Sequence, residues 1–425
     1  MRILRMGSFG PTVELLQLAL NRAGFGPLET DGLFGPATDR ALRRFQAAEG
    51  LTADAVAGRE THRALLPWYT GSRLHRVERG DTVWALAQRF GTEEAAILTA
   101  NPGLEISSLP IGSTLTIPLA FPVVPTTITY SSALVSYCVR GLEARYPFLA
   151  VGEIGKSVMG RPLWRLTLGR GENRVLYNAS HHANEWICTP LLLKFAEELA
   201  AAFAAGGAIL EHSAAEMLDY AGITLIPAVN PDGIDLAGGE LQQGEFYRAA
   251  AAIAAEWPDI PFPQGWKANI RGTDLNLQYP AGWEQARENK YAQGVRGPAP
   301  ADYVGPAPLS APESRAMYDY TLALAPRLTL SWHTQGEEIY WRYGECEPME
   351  ARRIGELFAG LSGYTLTDPL FGASFAGYKD WFIDRFERPG YTVEAGRGTN
   401  PLPIADFDEI YRRCLPILVY GALVT

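Results

Sequence analysis

The sequence lacks long apolar runs, closely spaced cysteines and an excess of positive charge. No stretch of about 18 consecutive apolar residues occurs, which argues against a membrane-spanning helix. The first 22 residues include basic side chains but no continuous apolar segment with a small-residue cleavage site, so we predict no signal peptide. The four cysteines are scattered, and none lies at metal or redox spacing from another. The formal net charge of -10 argues against nucleic acid as the main partner.

Changes in pattern along the 425 residues predict three folded segments and a linker. Apolar residues recur at helical spacing in the first segment, and a strand, two helices and a second strand are expected in the next. In the last segment strand-like runs alternate with helical stretches, which predicts α/β layering. The bounds are 1–67 for a small all-α domain, 74–118 for a βααβ module, 119–129 for a proline-containing linker and 130–425 for the large domain.

In the large domain, four strand-like runs end in polar residues that can ligate a metal or catalyse a reaction. The runs 174–179, 223–229, 327–332 and 391–393 lead into His181-His182, Asn230-Pro231-Asp232, His333 and Glu394. Open α/β sheets place active sites at the carboxyl ends of their strands. We therefore expect these strand ends to meet in one site.

Two histidines and a glutamate in this part of the chain fit a zinc site. Hydrolytic zinc is commonly held by two His and one Glu, which leave a position open for water. His182 and Glu185 are separated by one helical turn, and His333 can supply the third ligand from another strand end. Glu394, a carboxylate at a strand end, then fits a general base. The alternative is that these histidines are buried side chains with ordinary hydrogen-bond partners.

Six segments resemble, in chain order, the zinc carboxypeptidases of the carboxypeptidase A type: HHANEW, NPDG, GTDLNLQYP, GPAPLSAPES, SWHTQ and YTVEAGRG. The similarity covers residues 130–425 and implies a central mixed sheet flanked by helices. It implies one zinc ion, held by His182, Glu185 and His333, and Glu394 as the general base. In that mechanism the metal lowers the pKa of water toward about 7, and the base later returns the proton to the leaving amine.

The cation that stabilises the oxyanion is less directly indicated. The family places an Arg seven residues before the Asp of its Asp-Leu-Asn motif, and here that position holds Lys267. Arg271 lies close by in the sequence and is the alternative. Either side chain could instead be a solvated surface charge.

Two further positions depart from the family pattern, and two others are candidate carboxylate binders. The family's Asn-Arg pair, which clamps a terminal carboxylate, is Asn276-Leu277 here, and Leu cannot rebuild a bidentate clamp. Lys379 matches the base of the specificity pocket, and Arg397 follows the predicted base, so both are candidate carboxylate binders or exposed loop residues. The family's active-site tyrosine position holds Gly372, and no tyrosine is assigned.

The two front segments also resemble known families. LRMGSFGPTVELLQLALNRAGF and DGLFGPATDRALRRFQAAEGL are similar to the helical peptidoglycan-binding domain. HRVERGDTVWALAQRFGT and ANPGLEISSLPIGSTLTIP are similar to LysM modules, which bind glycans that contain N-acetylglucosamine. The expected partners are therefore peptidoglycan glycan strands and stem peptides, without nucleic acid or a membrane span.

The whole architecture resembles γ-D-glutamyl-diaminopimelate endopeptidases, which implies zinc-dependent hydrolysis of that amide bond in stem peptides. One alternative is a stem-peptide carboxypeptidase, and another is a catalytically inactive wall-binding protein. The predicted location is the cytoplasm, including a sporulating mother cell, or the cell wall after non-classical release. The sequence does not indicate an oligomeric state.

Overall fold

The chain forms two units in a computed structural model that describes residues 2–106, 109–368 and 375–424. The first unit comprises Met1–Thr129 and Ser136–Ala150, and the second comprises Tyr130–Val135 and Val151–Thr425. The second unit starts at Tyr130, where we expected the large domain to begin, but most of α6 (Ser132–Arg145) groups with the first unit.

The later part of α6 groups with the first unit because its side chains bind there. The ring of Tyr137 stacks on that of Tyr69 with a centroid distance of 5.1 Å. Arg145 donates hydrogen bonds to the carbonyl oxygens of Gly71, at 3.0 Å, and Leu119, at 2.8 Å. These contacts involve residues far apart in the chain, which sequence periodicity does not register.

The three front helices begin in the same way. Each follows a glycine that offers no side-chain cap, namely Gly10, Gly35 or Gly58. The first two helices carry proline at their first position, where its missing N–H costs nothing and its fixed φ suits the helix. The helices are α1 (Pro11–Arg22), α2 (Pro36–Ala48) and α3 (Arg59–Thr70).

A buried glutamine in α1 closes the turn that leads into α2. The Gln17 amide nitrogen donates to Asp31 Oδ1 at 2.7 Å, to the Leu33 carbonyl oxygen at 3.1 Å and to Thr38 Oγ1 at 3.2 Å. Its carbonyl oxygen accepts from the Gly32 N–H at 3.0 Å. The side chain is 2% exposed, so the turn supplies every partner that this amide needs.

The same arrangement recurs one helix later. The Gln46 amide nitrogen of α2 donates to Asp54 Oδ1, the Val56 carbonyl oxygen and Thr61 Oγ1, and its oxygen accepts from the Ala55 N–H. The helical domain therefore contains two copies of one supersecondary unit, each held by a buried glutamine.

The next module has the expected βααβ order: β1 (Ser72–Arg76), α4 (Val83–Phe90), α5 (Glu94–Ala100) and β2 (Thr114–Pro118). The two strands pair antiparallel. Thr82 caps the start of α4, where its hydroxyl oxygen accepts from the Ala85 N–H at 3.0 Å. Asp81 Oδ2 instead accepts from the Glu78 N–H at 2.8 Å and lies 2.7 Å from His75 Nε2.

The second unit contains a mixed sheet of eight strands among the described residues, in the order β11-β10-β12-β9-β5-β8-β4-β3. Strands β12, β9, β5 and β8 run parallel, and β10 and β4 are antiparallel to β12 and β8. The strands of this sheet are β3 (Ala150–Lys156), β4 (Pro162–Leu168), β5 (Asn173–Ala179), β8 (Ala221–Ile226), β9 (Leu328–His333), β10 (Glu338–Tyr340), β11 (Thr365–Thr367) and β12 (Gly390–Glu394). A separate antiparallel pair is formed by β6 (Ala208–Ile209) and β7 (His212–Ser213).

Helices cover both faces of this sheet, as the resemblance implied. Successive residues of a strand point to opposite faces. Leu176 of β5 packs in a buried cluster with Tyr378 and Phe382, whereas the Tyr177 hydroxyl donates to the Leu418 carbonyl oxygen on the other side. The helices are α7 (Cys188–Ala204), α8 (Ala214–Tyr220), α9 (Pro231–Ala237), α10 (Glu245–Ala254), α11 (Trp283–Ala292), α12 (Pro312–Leu324), α13 (Ala351–Ser362), α14 (Tyr378–Phe386) and α15 (Phe407–Leu423).

Candidate active site

Three side chains that could hold a metal ion converge at the carboxyl ends of β5 and β9. His182 follows β5 and precedes a single 3-10 turn, Ala183–Glu185, while His333 is the last residue of β9. Glu185 Oε1 lies 3.0 Å from His182 Nδ1, and Oε2 lies 2.8 Å from His333 Nδ1. The two Nδ1 atoms are 3.1 Å apart. His333 therefore places its Nδ1 beside donor atoms of Glu185 and His182, which are 148 and 151 residues away in the chain.

These donor atoms suit a zinc ion. The three residues are at most 7% exposed, and their ligand atoms lie within 4.8 Å of one another. The two histidines hold the pKa of the Glu185 carboxyl well below its ordinary value, although burial alone would raise it. Burial lowers the pKa of His333. Burial would also lower the pKa of His182, but the carboxylates of Glu185 and Asp274 together raise it to about 9. Two imidazoles and one carboxylate in such a dry cluster match a hydrolytic zinc set.

Asp274 orients one of these ligands. Its Oδ1 lies 3.2 Å from His182 Nε2, the ring nitrogen that faces away from Glu185. Burial would raise the pKa of Asp274, but the charge and hydrogen bond of His182 and the charge of Lys267 together outweigh burial and lower it. A carboxylate behind a metal-binding histidine fixes its tautomer and ring plane. Our sequence reasoning did not assign Asp274 to the site, although it used the GTDLN segment in which it lies.

Glu394 ends β12 next to the histidine that ends β9. The two strands are parallel neighbours, and Glu394 is the register partner of His333. Burial and the nearby Glu185 charge raise the pKa of Glu394 to about 8. A carboxylate whose pKa lies near physiological pH is suited to take a proton and to return it.

Lys267 and Arg271 are placed differently with respect to this cluster. The negative charges of Glu185, Asp274 and Glu394 raise the pKa of Lys267, although its burial opposes them. Arg271 is exposed, and its backbone N–H donates to Asn269 Oδ1. The electrostatic surroundings therefore favour Lys267 as the cation of the site.

Asn276 and Leu277 serve the fold at the positions of the family's carboxylate clamp. Asn276 Oδ1 accepts from the Tyr378 N–H at 3.0 Å, at the start of α14. Leu277 packs against an apolar cluster that includes Trp283 and Val304. The role of Asn276 in substrate binding stays a prediction.

The two predicted carboxylate binders already have partners. The Lys379 ammonium, 5% exposed, lies 2.6 Å from Asp380 Oδ1 and donates to the Arg342 carbonyl oxygen at 2.6 Å. The Arg397 side chain is 76% exposed and pairs with Glu337 at 2.8 Å. Among the described residues neither contacts the three metal-site side chains, and Gly372 lies outside the described residues. Both assignments stay predictions.

The histidine before the metal pair is a neighbour of the site. His181 Nε2 lies 2.9 Å from the Tyr279 hydroxyl, and its ring stacks on that of His333 at 5.9 Å. Burial and the adjacent His333 and His182 hold its pKa well below the ordinary value, so the ring is neutral. A neutral packed ring beside His333 helps to fix the orientation of that ligand.

The fold and this site together define a zinc metallopeptidase. Residues 136–403 match the model of the zinc carboxypeptidase family, and the chain belongs to that family. Residues 9–65 match a peptidoglycan binding domain, and residues 75–118 match the LysM domain. Both predicted front modules are thereby confirmed. No helix in the described part of the chain is long and apolar enough to cross a membrane.

Two relatives are similar over most of their length. Gamma-D-glutamyl-L-diamino acid endopeptidase 1 of Lysinibacillus sphaericus is 41% identical over 293 residues, which cover 69% of this chain and 72% of that protein. Uncharacterized protein YqgT of Bacillus subtilis is 38% identical over 293 residues, 68% of this chain and 76% of that protein. The crystal structure of carboxypeptidase A from Helicoverpa armigera superposes with a TM-score of 0.54 at 18% identity, covering 81% of this chain and 80% of that one.

Proposed function

We propose that this zinc peptidase hydrolyses the amide bond between the γ-carboxyl of D-glutamate and diaminopimelate in peptidoglycan stem peptides. The observation that carries the proposal is the placement of Leu277 in an apolar cluster. A carboxypeptidase of this family that removes single terminal residues holds the free carboxylate with a cation at that position. An enzyme that cuts within a stem does not need it. The similarity to a gamma-D-glutamyl-L-diamino acid endopeptidase supports the same substrate class.

The reaction follows from the roles of the individual side chains. His182, Glu185 and His333 would hold zinc, which supplies Lewis acidity to the scissile carbonyl and lowers the pKa of water. Glu394 accepts a proton from the attacking water and delivers it to the leaving nitrogen. Lys267 stabilises the negative charge that develops on the carbonyl oxygen. Asp274 keeps the His182 ring in the orientation that ligation requires.

The two front domains hold the enzyme close to its substrate. A peptidoglycan binding domain and a LysM domain on the same chain suggest that it binds peptidoglycan. Attachment to glycan strands raises the effective concentration of stem peptides around the catalytic unit. We therefore place its action at the cell wall, or on wall fragments inside a sporulating mother cell.

Digestion of defined tripeptide, tetrapeptide and pentapeptide muropeptides tests the proposal. We expect mass spectrometry to find zinc-dependent products that separate D-glutamate from diaminopimelate, and a chelator to abolish them. The Glu394→Gln variant is the matched negative control. Loss of only the last residue would instead identify a stem carboxypeptidase, with Lys379 or Arg397 as the clamp to mutate. Cleavage of none of the stems would overturn the proposed activity.

A further inference from the structure

One strand beside the catalytic base carries a carboxylate that the mechanism above does not use. Glu338 on β10 is the antiparallel register partner of Glu394, and Tyr340 is the partner of Thr392. Directly opposed residues in an antiparallel pair point to the same face, with Cβ atoms about 5 Å apart. Glu338 therefore stands beside Glu394, on the same side of the sheet.

The Glu338 side chain is held close to the base. A Cβ built on Gly336 would lie 3.6 Å from Glu338 Cγ and Oε2, and 3.7 Å from Glu394 Cβ. The Tyr340 hydroxyl donates to Glu338 Oε2 at 2.6 Å. Gly336 thus lies beside both glutamates, and the tyrosine fixes the direction of the Glu338 carboxylate.

Glu338 and its sequence neighbour Glu337 differ in their ion-pair partners. Glu337 pairs with both Arg413 and Arg397. No arginine or lysine of the described chain forms an ion pair with Glu338, and its charge instead helps to raise the pKa of Glu394. Two partly buried carboxylates side by side repel each other unless a cation lies near them. Lys267 lowers the pKa of Glu394 but forms no ion pair with Glu338 in the described part of the chain, so a cationic group of the substrate can pair with Glu338.

The position also indicates which part of the substrate supplies it. Glu394 must reach the leaving nitrogen to protonate it, so the residue that carries this nitrogen lies against the base and the side chains that flank it. If the proposed function is right, that residue is a diamino acid, which has a second amino group. The half-buried Glu338 carboxylate, which lies beside Glu394, is suited to a charge-assisted hydrogen bond with this ammonium.

Resting on the proposed function, we infer that Glu338, oriented by Tyr340, binds the side-chain ammonium of the diamino acid on the leaving side of the scissile bond. Glu338 is then a specificity-determining residue, and diaminopimelate or lysine at this position is favoured over an uncharged residue of the same length.

The test compares two γ-D-glutamyl peptides, one with lysine after the scissile bond and one with norleucine, in the zinc-loaded full chain. In the wild type we expect kcat/KM to favour lysine. In Glu338→Gln we expect this preference to fall about 10- to 100-fold, the value of one hydrogen bond to a charged group. Using the ratio cancels any effect of Glu338 on the base itself, since that effect acts on both peptides.

Two further variants complete the experiment. Glu337→Gln, in which the carboxylate beside Glu338 is changed, should keep the wild-type preference. Tyr340→Phe should lower the preference by a smaller factor through a higher KM for the lysine peptide. An unchanged preference in Glu338→Gln, or an equal loss on both peptides, would overturn the inference while leaving the proposed function intact. If the wild type cuts neither peptide nor any muropeptide, the proposed function itself fails.

Discussion

The two units bury polar side chains for different purposes. In the helical domain, Gln17 and Gln46 each have four hydrogen-bond partners, three from the turn that they close and one from the helix that follows it. At the strand ends of the second unit, Glu185 and Glu394 lie close enough that one charge raises the pKa of the other. His333 Nε2 and His181 Nδ1 are buried there without a hydrogen-bond partner in the structure.

This difference separates side chains that stabilise the fold from those that serve chemistry. A fully bonded buried amide adds stability and specifies one conformation. A cluster of interacting charges and unpaired ring nitrogens lowers stability unless a ligand completes it. Functional sites characteristically combine burial with charges that shift pKa values. Mutations in the two regions should therefore have opposite effects on turnover and on stability.

The largest effect is expected for Glu394→Gln. The substitution removes the base but preserves shape, so turnover should fall by about 100- to 10,000-fold. Zinc content should stay at the wild-type value, and thermal stability should not decrease, since a costly buried acid is gone. Kinetics, metal analysis and calorimetry on one preparation check all three. Near-normal turnover would show that Glu394 is not the general base. It would also contradict the distinction between buried side chains that stabilise the fold and those that serve chemistry.

His333→Ala tests whether the cluster is completed by a metal. With one of three ligands missing, we expect zinc affinity to fall by more than about 100-fold, whereas Asp274→Asn keeps all three and should lose only about 10- to 100-fold. Competition with a chromogenic chelator measures both. His212→Ala, a change of a partly exposed histidine in β7, is the control. Full occupancy in His333→Ala would exclude it from the ligand set.

Glu313, a buried carboxylate outside the metal cluster, should make the stability of the second unit depend on pH. Glu313 accepts hydrogen bonds from the Val158 N–H and the Asn269 amide, and burial raises its pKa to about 7 from 4.5. The folded state then binds this proton more tightly than the unfolded state does. Its stabilising contribution is complete below pH 4.5 and is lost as the pH rises through about 7, by about 3 kcal/mol.

Denaturation curves of the wild type and Glu313→Gln between pH 4.5 and 8 measure this effect. Relative to the variant, the wild type should lose stability as the pH rises. Parallel pH profiles of the two proteins would show that Glu313 does not titrate in this range.

The smallest effect is expected in the helical domain. Gln17→Leu leaves the Gly32 N–H and the Thr38 hydroxyl without their partner, and should cost about 1–3 kcal/mol of unfolding free energy. Turnover of a soluble stem peptide should not change. Gln88→Leu on α4 is the matched surface control. A loss of turnover in Gln17→Leu without a loss of stability would contradict the division of roles between the two regions.

The sequence was sufficient to predict that His182, Glu185 and His333 meet, for a physical reason. His182 and Glu185 share one helical turn, and His333 and Glu394 end strands, so local spacing and the parallel sheet determine their meeting. The βααβ module was predictable in the same way. Lys379 was harder to interpret, because the Arg342 carbonyl oxygen that it binds is set by tertiary structure. The same applies to Asn276, whose side chain binds the start of α14.

Strand register determines where residues can be inserted into or deleted from this enzyme without disturbing its site. Glu394 lies opposite His333 on one side and opposite Glu338 on the other, so three strands align these groups through backbone hydrogen bonds alone. Slipping β12 by one residue would turn Glu394 to the opposite face of the sheet. Loops between the strands can gain or lose residues without moving the base. A single insertion or deletion inside β9, β10 or β12 would separate catalysis from metal binding.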